Sequence, residues 1–121
     1  MANKKTVVIG ASDNPARYSF QAVNRLKSYG HEVVPVGIRK GQVGGLDIHV
    51  DKPEVDSVDT VTLYVGPQNQ PAWYDYILDL KPKRIIFNPG TENYELERKA
   101  RDRGIQTIEA CTLVMLSVGN Y

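Results

Sequence analysis

Gly10, Ser12 and Arg17 are spaced as a grip on phosphate would need them. They lie in "VIGASDNPARYS", where an apolar run breaks at Gly10 and a helical pattern resumes a few residues on. Backbone N–H groups at the start of such a helix point outward unpaired, and the helix dipole adds partial positive charge, so an anion is favoured there. Ser12 supplies a hydroxyl donor, and Arg17 a planar guanidinium that can meet two phosphate oxygens at once. The pattern is not the dinucleotide fingerprint G-x-G-x-x-G, because Ser12 and Pro15 stand where its second and third glycines belong. The plain alternative is that Gly10 only ends a strand and Arg17 is a solvated surface charge.

A second group follows the next apolar run, "HEVVPVG". An NAD site places Asp or Glu there, roughly 20 residues after the glycine turn, to accept from the ribose hydroxyls. This chain has Gly37, Arg39 and Lys40, and no carboxylate before Asp47. Two cations invite a ribose phosphate that a carboxylate would repel. That points to an adenosine with an extra phosphate, as in NADP or coenzyme A (CoA); the alternative is a solvated basic loop. Val65-Gly66-Pro67 and Asn88-Pro89-Gly90 could let a ligand lie across two further strand ends, though both are also ordinary turn chemistry.

Other chemistry lacks its residues. One cysteine and two scattered histidines, His31 and His49, make no structural zinc site. Neither a G-x-S-x-G elbow nor a P-loop is present. The charge-rich "ERKARDR", residues 97 to 103, reads as a solvated helix face. Cys111 reads as a small buried hydrophobe, Trp73 and Ile77 as core, and Tyr74 and Tyr76 as amphipathic surface.

These residues need elements to carry them. Residues 6–9, 31–37, 59–65, 83–88 and 105–109 read as strands, alternating with helices over about 16–29, 71–80 and 94–103. Asn93 is placed to cap the third helix and Gly104 to close it. The tail from Cys111 is short and helical or irregular. Residues 41–58 stay open, with a short edge strand "LDIHV" and a helical turn near Pro53–Val55 as candidates. Alternation of this kind implies parallel βαβ units, hence a doubly wound α/β fold: a five-stranded parallel sheet with helices on both faces, in the order 3-2-1-4-5. Ligands of such sheets bind beyond the carboxyl ends of the strands, so the four turns become walls of one cleft.

At 121 residues, 41% apolar and 24% charged, the chain is expected to be one domain spanning residues 1–121. Its net charge of +1 gives no reason to expect nucleic acid or an anionic membrane as partner. No apolar run approaches the roughly 20 residues of a membrane span. "MANKK" has no secretory signal character, and a lone cysteine suits a reducing cytoplasm.

"VVIGASDNPARYSFQAVNRLKSYGHEVVPVG", "DTVTLYVGP", "NPGTEN" and "GIQTIEACTLV" together make the chain resemble the small CoA-binding-domain proteins, over nearly its full length. These are Rossmann-like, stand-alone relatives of the CoA-binding domain of succinyl-CoA synthetase α subunits. The resemblance implies CoA or acyl-CoA as cofactor, with the phosphates lined by Gly10, Ala11, Ser12, Asn14, Arg17 and Ser19. It implies Val36, Gly37, Arg39 and Lys40 for the nucleotide, and Val65, Gly66, Pro67, Asn88, Pro89 and Gly90 flanking the pantetheine. Family members commonly carry Val-Asn-Pro where this chain has Val36-Gly37-Ile38, and Gln-Leu-Gly or similar where it has Asn88-Pro89-Gly90. The synthetase's phosphorylated histidine lies in a separate domain absent here, so binding without catalysis is the expectation. Two rival classes remain: an NADP-dependent oxidoreductase, which lacks an identifiable acid–base pair, and a regulatory module with a vestigial cleft and an enzyme partner. A homodimer covering an exposed sheet edge is a further expectation.

Overall fold

The computed structural model describes residues 3–121, and its centre is a parallel sheet. Five strands form it: β1 (Thr6–Ile9), β2 (Val33–Val36), β5 (Thr60–Leu63), β6 (Arg84–Phe87) and β7 (Gln106–Glu109). β1, β5 and β6 are buried throughout, as expected of β-branched runs covered on both faces. Alternate residues feed two cores. Val7, Ile9, Leu63, Ile85 and Phe87 meet Trp73, Ile77, Leu96 and Ala100 on one face. Val8 and Ile86 meet Val23, Leu26, Met115 and Leu116 on the other. Each fully buried Val, Leu, Ile or Phe among them contributes roughly 1.5–3 kcal/mol.

Helices α1 (Tyr18–Ser28) and α4 (Thr112–Val118) therefore share one face, and α2 (Tyr74–Asp79) and α3 (Tyr94–Asp102) the other. α3 starts where its sequence signal puts it: Asn93 Oδ1 accepts from the N–H groups of Glu95 and Leu96 at 3.1 and 3.4 Å. α1 begins at Tyr18 rather than Ala16, because Ser12 and Asn14 hold the preceding residues in turns: Asn14 N–H donates to Ser12 Oγ and Ala16 N–H to Asn14 Oδ1, both at 3.0 Å. α2 is shorter than the spacing suggests, since Pro67 and Pro71 each start a 3₁₀ turn before Tyr74.

The sheet is doubly wound, but the strand expected third sits elsewhere. The order is β2-β1-β5-β6-β7, so Thr60–Leu63 lies beside β1 instead of outside β2. The outer place is taken by His49, which bridges parallel to Val36: Gly37 N–H donates to His49 O, and His49 N–H to Pro35 O, at 2.9 and 3.0 Å. The chain reaches His49 through a hairpin of β3 (Gln42–Val43) and β4 (Leu46–Asp47) packed on α1. With the backbone edge of β2 satisfied in this way, the next strand must cross to the far side of β1. Counting the bridge as a strand gives 3-2-1-4-5-6, with the direction of winding still reversing at β1. The helical turn considered near Pro53–Val55 does not form, and Lys52 and Ser57 flank the segment with φ of 51° and 58°.

Candidate functional site

The register levels the strand ends. Ile9 pairs with Val36 and Leu63, Leu63 with Phe87, and Phe87 with Glu109. The turns that follow therefore share one rim, with the switch in winding between β1 and β5.

Two glycines make the centre of that rim tight. Gly10 has φ 93°, and a Cβ there would lie 3.1 Å from the Tyr64 carbonyl. A Cβ on Gly37 would lie 2.6 Å from Ala11 O, closer than real contacts allow. Gly10 and Ala11 both donate their N–H groups to Val36 O, at 2.9 and 3.0 Å. Farther out, Asp13 fills the space a side chain on Gly41 would need. The first and second turns are thus one surface, and Gly37 has no room for the asparagine common in the resembling family.

Arg17, Arg39 and Lys40 are all exposed on this surface. Arg17 is the N-cap of α1, extended at φ −87° and ψ 141°, not a residue inside the first turn. The start of α1 has no side-chain cap and no acidic residue in its first turn. Among the described residues the ion pairs are Lys5–Glu32, Lys83–Asp59, Arg84–Asp59, Arg101–Glu97 and Arg103–Asp79. None involves the three cations of the rim.

The other candidates divide. Ser12 is half-buried, Asn14 exposed, and Ser19 buried beneath the first turn of α1. Val65 and Gly66 are half-buried, and Pro67, Pro89 and Gly90 face solvent. Asn88 is different: its amide is fully used inside the protein. Nδ2 donates to Thr62 Oγ1 at 2.7 Å and Leu63 O at 2.9 Å, while Oδ1 accepts from Thr112 N–H at 2.8 Å. Asn88 fixes the ends of β5 and β6 against the start of α4.

A polar network beneath the rim had no clear sequence signal. Gln70, wholly buried, donates to Val65 O and Thr91 O at 2.8 and 2.7 Å, tying the third turn to the fourth. Asn93 Nδ2 donates to Gln70 Oε1 and to Tyr74 Oη, both at 2.8 Å. Tyr76 Oη donates to Pro53 O at 2.6 Å, and burial, with a smaller effect of Asp51, pushes its hydroxyl up to about 12. Both tyrosines brace loops rather than coat the surface. Thr62 and Thr112 hydroxyls join at 2.7 Å beside Tyr64, whose buried hydroxyl is raised first by desolvation and next by Cys111, with only slight relief from the two threonines. No hydrogen-bond partner in good geometry meets that hydroxyl. Cys111 is half-buried at the start of α4. Glu97 departs from the solvated face expected of "ERKARDR": it is buried and raised by desolvation, then by its bond to Glu109.

Among the described residues no group of His, Cys, Asp and Glu could hold a metal ion. Among the described residues no helix is long and apolar enough to cross a membrane.

A profile of the family described as CoA binding domain matches residues 4–117. The chain belongs to that family. It superimposes with a TM-score of 0.98 on the crystal structure of an uncharacterized protein, at 55% identity and with both chains covered completely. A hypothetical protein from Pyrococcus horikoshii OT3 is similar at 25% identity and a TM-score of 0.84, covering 96% of this chain and 83% of that one. A dinucleotide-forming acetyl-coenzyme A synthetase 1 from Ca. Korarchaeum cryptofilum, in complex with phosphate and ADP, shares the fold. It matches at 23% identity and a TM-score of 0.71, over 89% of this chain and 26% of that one. No curated protein matches the sequence.

Proposed function

We propose that the rim binds CoA or an acyl-CoA and does not turn it over. In this reading the whole chain is a single binding unit. The pyrophosphate lies at the start of α1 against Arg17, with Ser12 and Asn14 beside it. The 3′-phosphate meets Arg39 and Lys40, and the pantetheine runs over Val65–Pro67 toward Pro89 and Gly90. Ala11, Val36 and Gly37 let the nucleotide approach backbone closely, whereas Ser19 and Asn88 support the walls from beneath.

One observation supports the reading: three exposed cations, without ion pairs among the described residues, follow β1 and β2 beyond the carboxyl ends of the strands, Arg17 at an uncapped helix start and Arg39 and Lys40 in the neighbouring turn. Cations left unpaired beside close-packed glycine turns suit a polyphosphate, and family membership supplies the class of carrier. The tyrosine that the rim buries has its hydroxyl raised by desolvation, so this reading gives it no acid–base role and asks only for binding.

Thermal shift with CoA, dephospho-CoA, NAD and NADP tests this, since a ligand that binds the folded state raises the melting point by mass action. CoA is expected to give the largest shift and dephospho-CoA a smaller one. Preference for NADP would favour an oxidoreductase, and no response to any of the four would favour a regulatory module with a vestigial cleft.

A further inference from the structure

The two edges of the sheet are finished differently. The β2 edge is covered by the His49 bridge, while β7 pairs with β6 on one side only. Gln106 N–H donates to Lys83 O and Ala110 N–H to Phe87 O, at 3.1 Å each. The alternation of a parallel ladder then turns the N–H and C=O groups of Thr107 and Glu109 outward. An open edge of this kind is a template for another strand.

Side chains on either face of β7 are suited to a particular neighbour. Ile108 pairs with Ile86, so it points to the α4 face, and it is only half-buried. On that same face α4 exposes Val114 and Val118, 56% and 66% accessible and one turn apart, while Ser117 turns toward α1 to bond Arg25. On the α3 face, Arg101 Nη1 donates to Thr107 Oγ1 at 3.3 Å, and Glu109 lies against the carboxyl of Glu97. One face of the edge is apolar; the other carries a cation and an acidic pair close together.

We propose that β7 is a dimerisation edge, where two copies of this chain pair antiparallel through Gln106–Glu109 with Ile108 on the two-fold axis. Continuity of the faces requires odd-numbered residues to stand opposite odd-numbered ones, and among those registers the charge match selects one: Arg101, bonded to Thr107, meets a carboxylate when Thr107 stands against Glu109 of the second copy. Those are also the residues whose backbone groups point outward, so the two pairs exchange their hydrogen bonds. Ile108 then meets its own copy in the close, non-hydrogen-bonded position, on the face that carries the two α4 helices. On the other face Arg101 of each copy stands beside Glu109 of the other, giving the acidic pair a second cation. Such a patch is self-complementary, as a two-fold interface must be. This inference does not depend on what the rim binds.

Sedimentation equilibrium of the ligand-free chain tests it. The wild type is expected to be a dimer, Ile108→Lys a monomer with unchanged circular dichroism, and Arg101→Glu and Glu109→Arg each associated at least tenfold more weakly. The double variant Arg101→Glu/Glu109→Arg is expected to recover association, which loss of structure would not do. Amide exchange at Thr107 and Glu109 should quicken on dilution of the wild type. A wild-type Kd weaker than about 1 mM, a dimer that survives Ile108→Lys, or a double variant no better associated than its parents would each overturn the proposal.

Discussion

The two ends of the strands carry opposite kinds of charge chemistry. At the amino ends, Lys5, Lys83 and Arg84 pair with Glu32 and Asp59. Arg84 also donates to Thr60 Oγ1 at 2.8 Å and lies 4.6 Å over the ring of Tyr121, whose hydroxyl bonds Thr6 at 2.6 Å. His31 packs on that same ring and accepts from the Lys4 N–H at Nδ1, 2.9 Å away. At the carboxyl ends, Arg17, Arg39 and Lys40 have no ionic partner among the described residues. Charge spent internally holds a fold together, and charge left free is available to a ligand. Residues at the amino ends should therefore govern stability, and those at the rim should govern affinity.

The largest expected effect tests the first half of that contrast. Arg84→Met leaves Asp59 with a weaker partner and uncovers Tyr121, so urea unfolding should show a loss of about 2–3 kcal/mol. CoA affinity per folded molecule should not change. Gly37→Val crosses the boundary between the two roles. Its Cβ meets Ala11 O, so overpacking should lower stability by about 1–2 kcal/mol and weaken CoA as the first two turns separate. Arg39→Glu/Lys40→Glu should do the reverse of Arg84→Met. Stability should stay within about 0.5 kcal/mol, while calorimetry finds CoA bound about tenfold more weakly, or about 1.4 kcal/mol, with dephospho-CoA affected less.

The smallest effect is in pH. Burial first, and then the Lys4 charge, lower the pKa of His31 below its usual 6.5. The unfolded chain therefore takes up the proton first as pH falls, so this contribution to stability is full above about 6.5 and declines below it. His31→Gln should flatten that part of the melting-temperature profile.

Much of this was legible in local sequence. Asn93, the β-branched runs and the glycines following the first four strands of the sheet announced the helix start, the strands and the rim. The seat of Thr60–Leu63 was not: "LDIHV" stood as a candidate edge strand, but that its His49 occupies the outer edge of β2 is decided by two backbone bonds that leave no periodicity. Asn88 shows the same limit in the site. Its turn reads as ligand-facing, yet its amide is consumed by Thr62, Leu63 and Thr112, partners that only folding brings together. Gln70 was invisible for the same reason. The charges of Arg17, Arg39 and Lys40 were plain in the sequence, but their freedom from ion pairs was not.

Titrating CoA into the isotopically labelled chain and following its amide resonances tests the central claim most directly. The account expects the changes to gather at residues 10–19, 36–41, 65–67 and 89–90, while Thr6, His31, Thr60 and Arg84 stay still. Changes centred on those four instead, or none at saturating CoA, would contradict it.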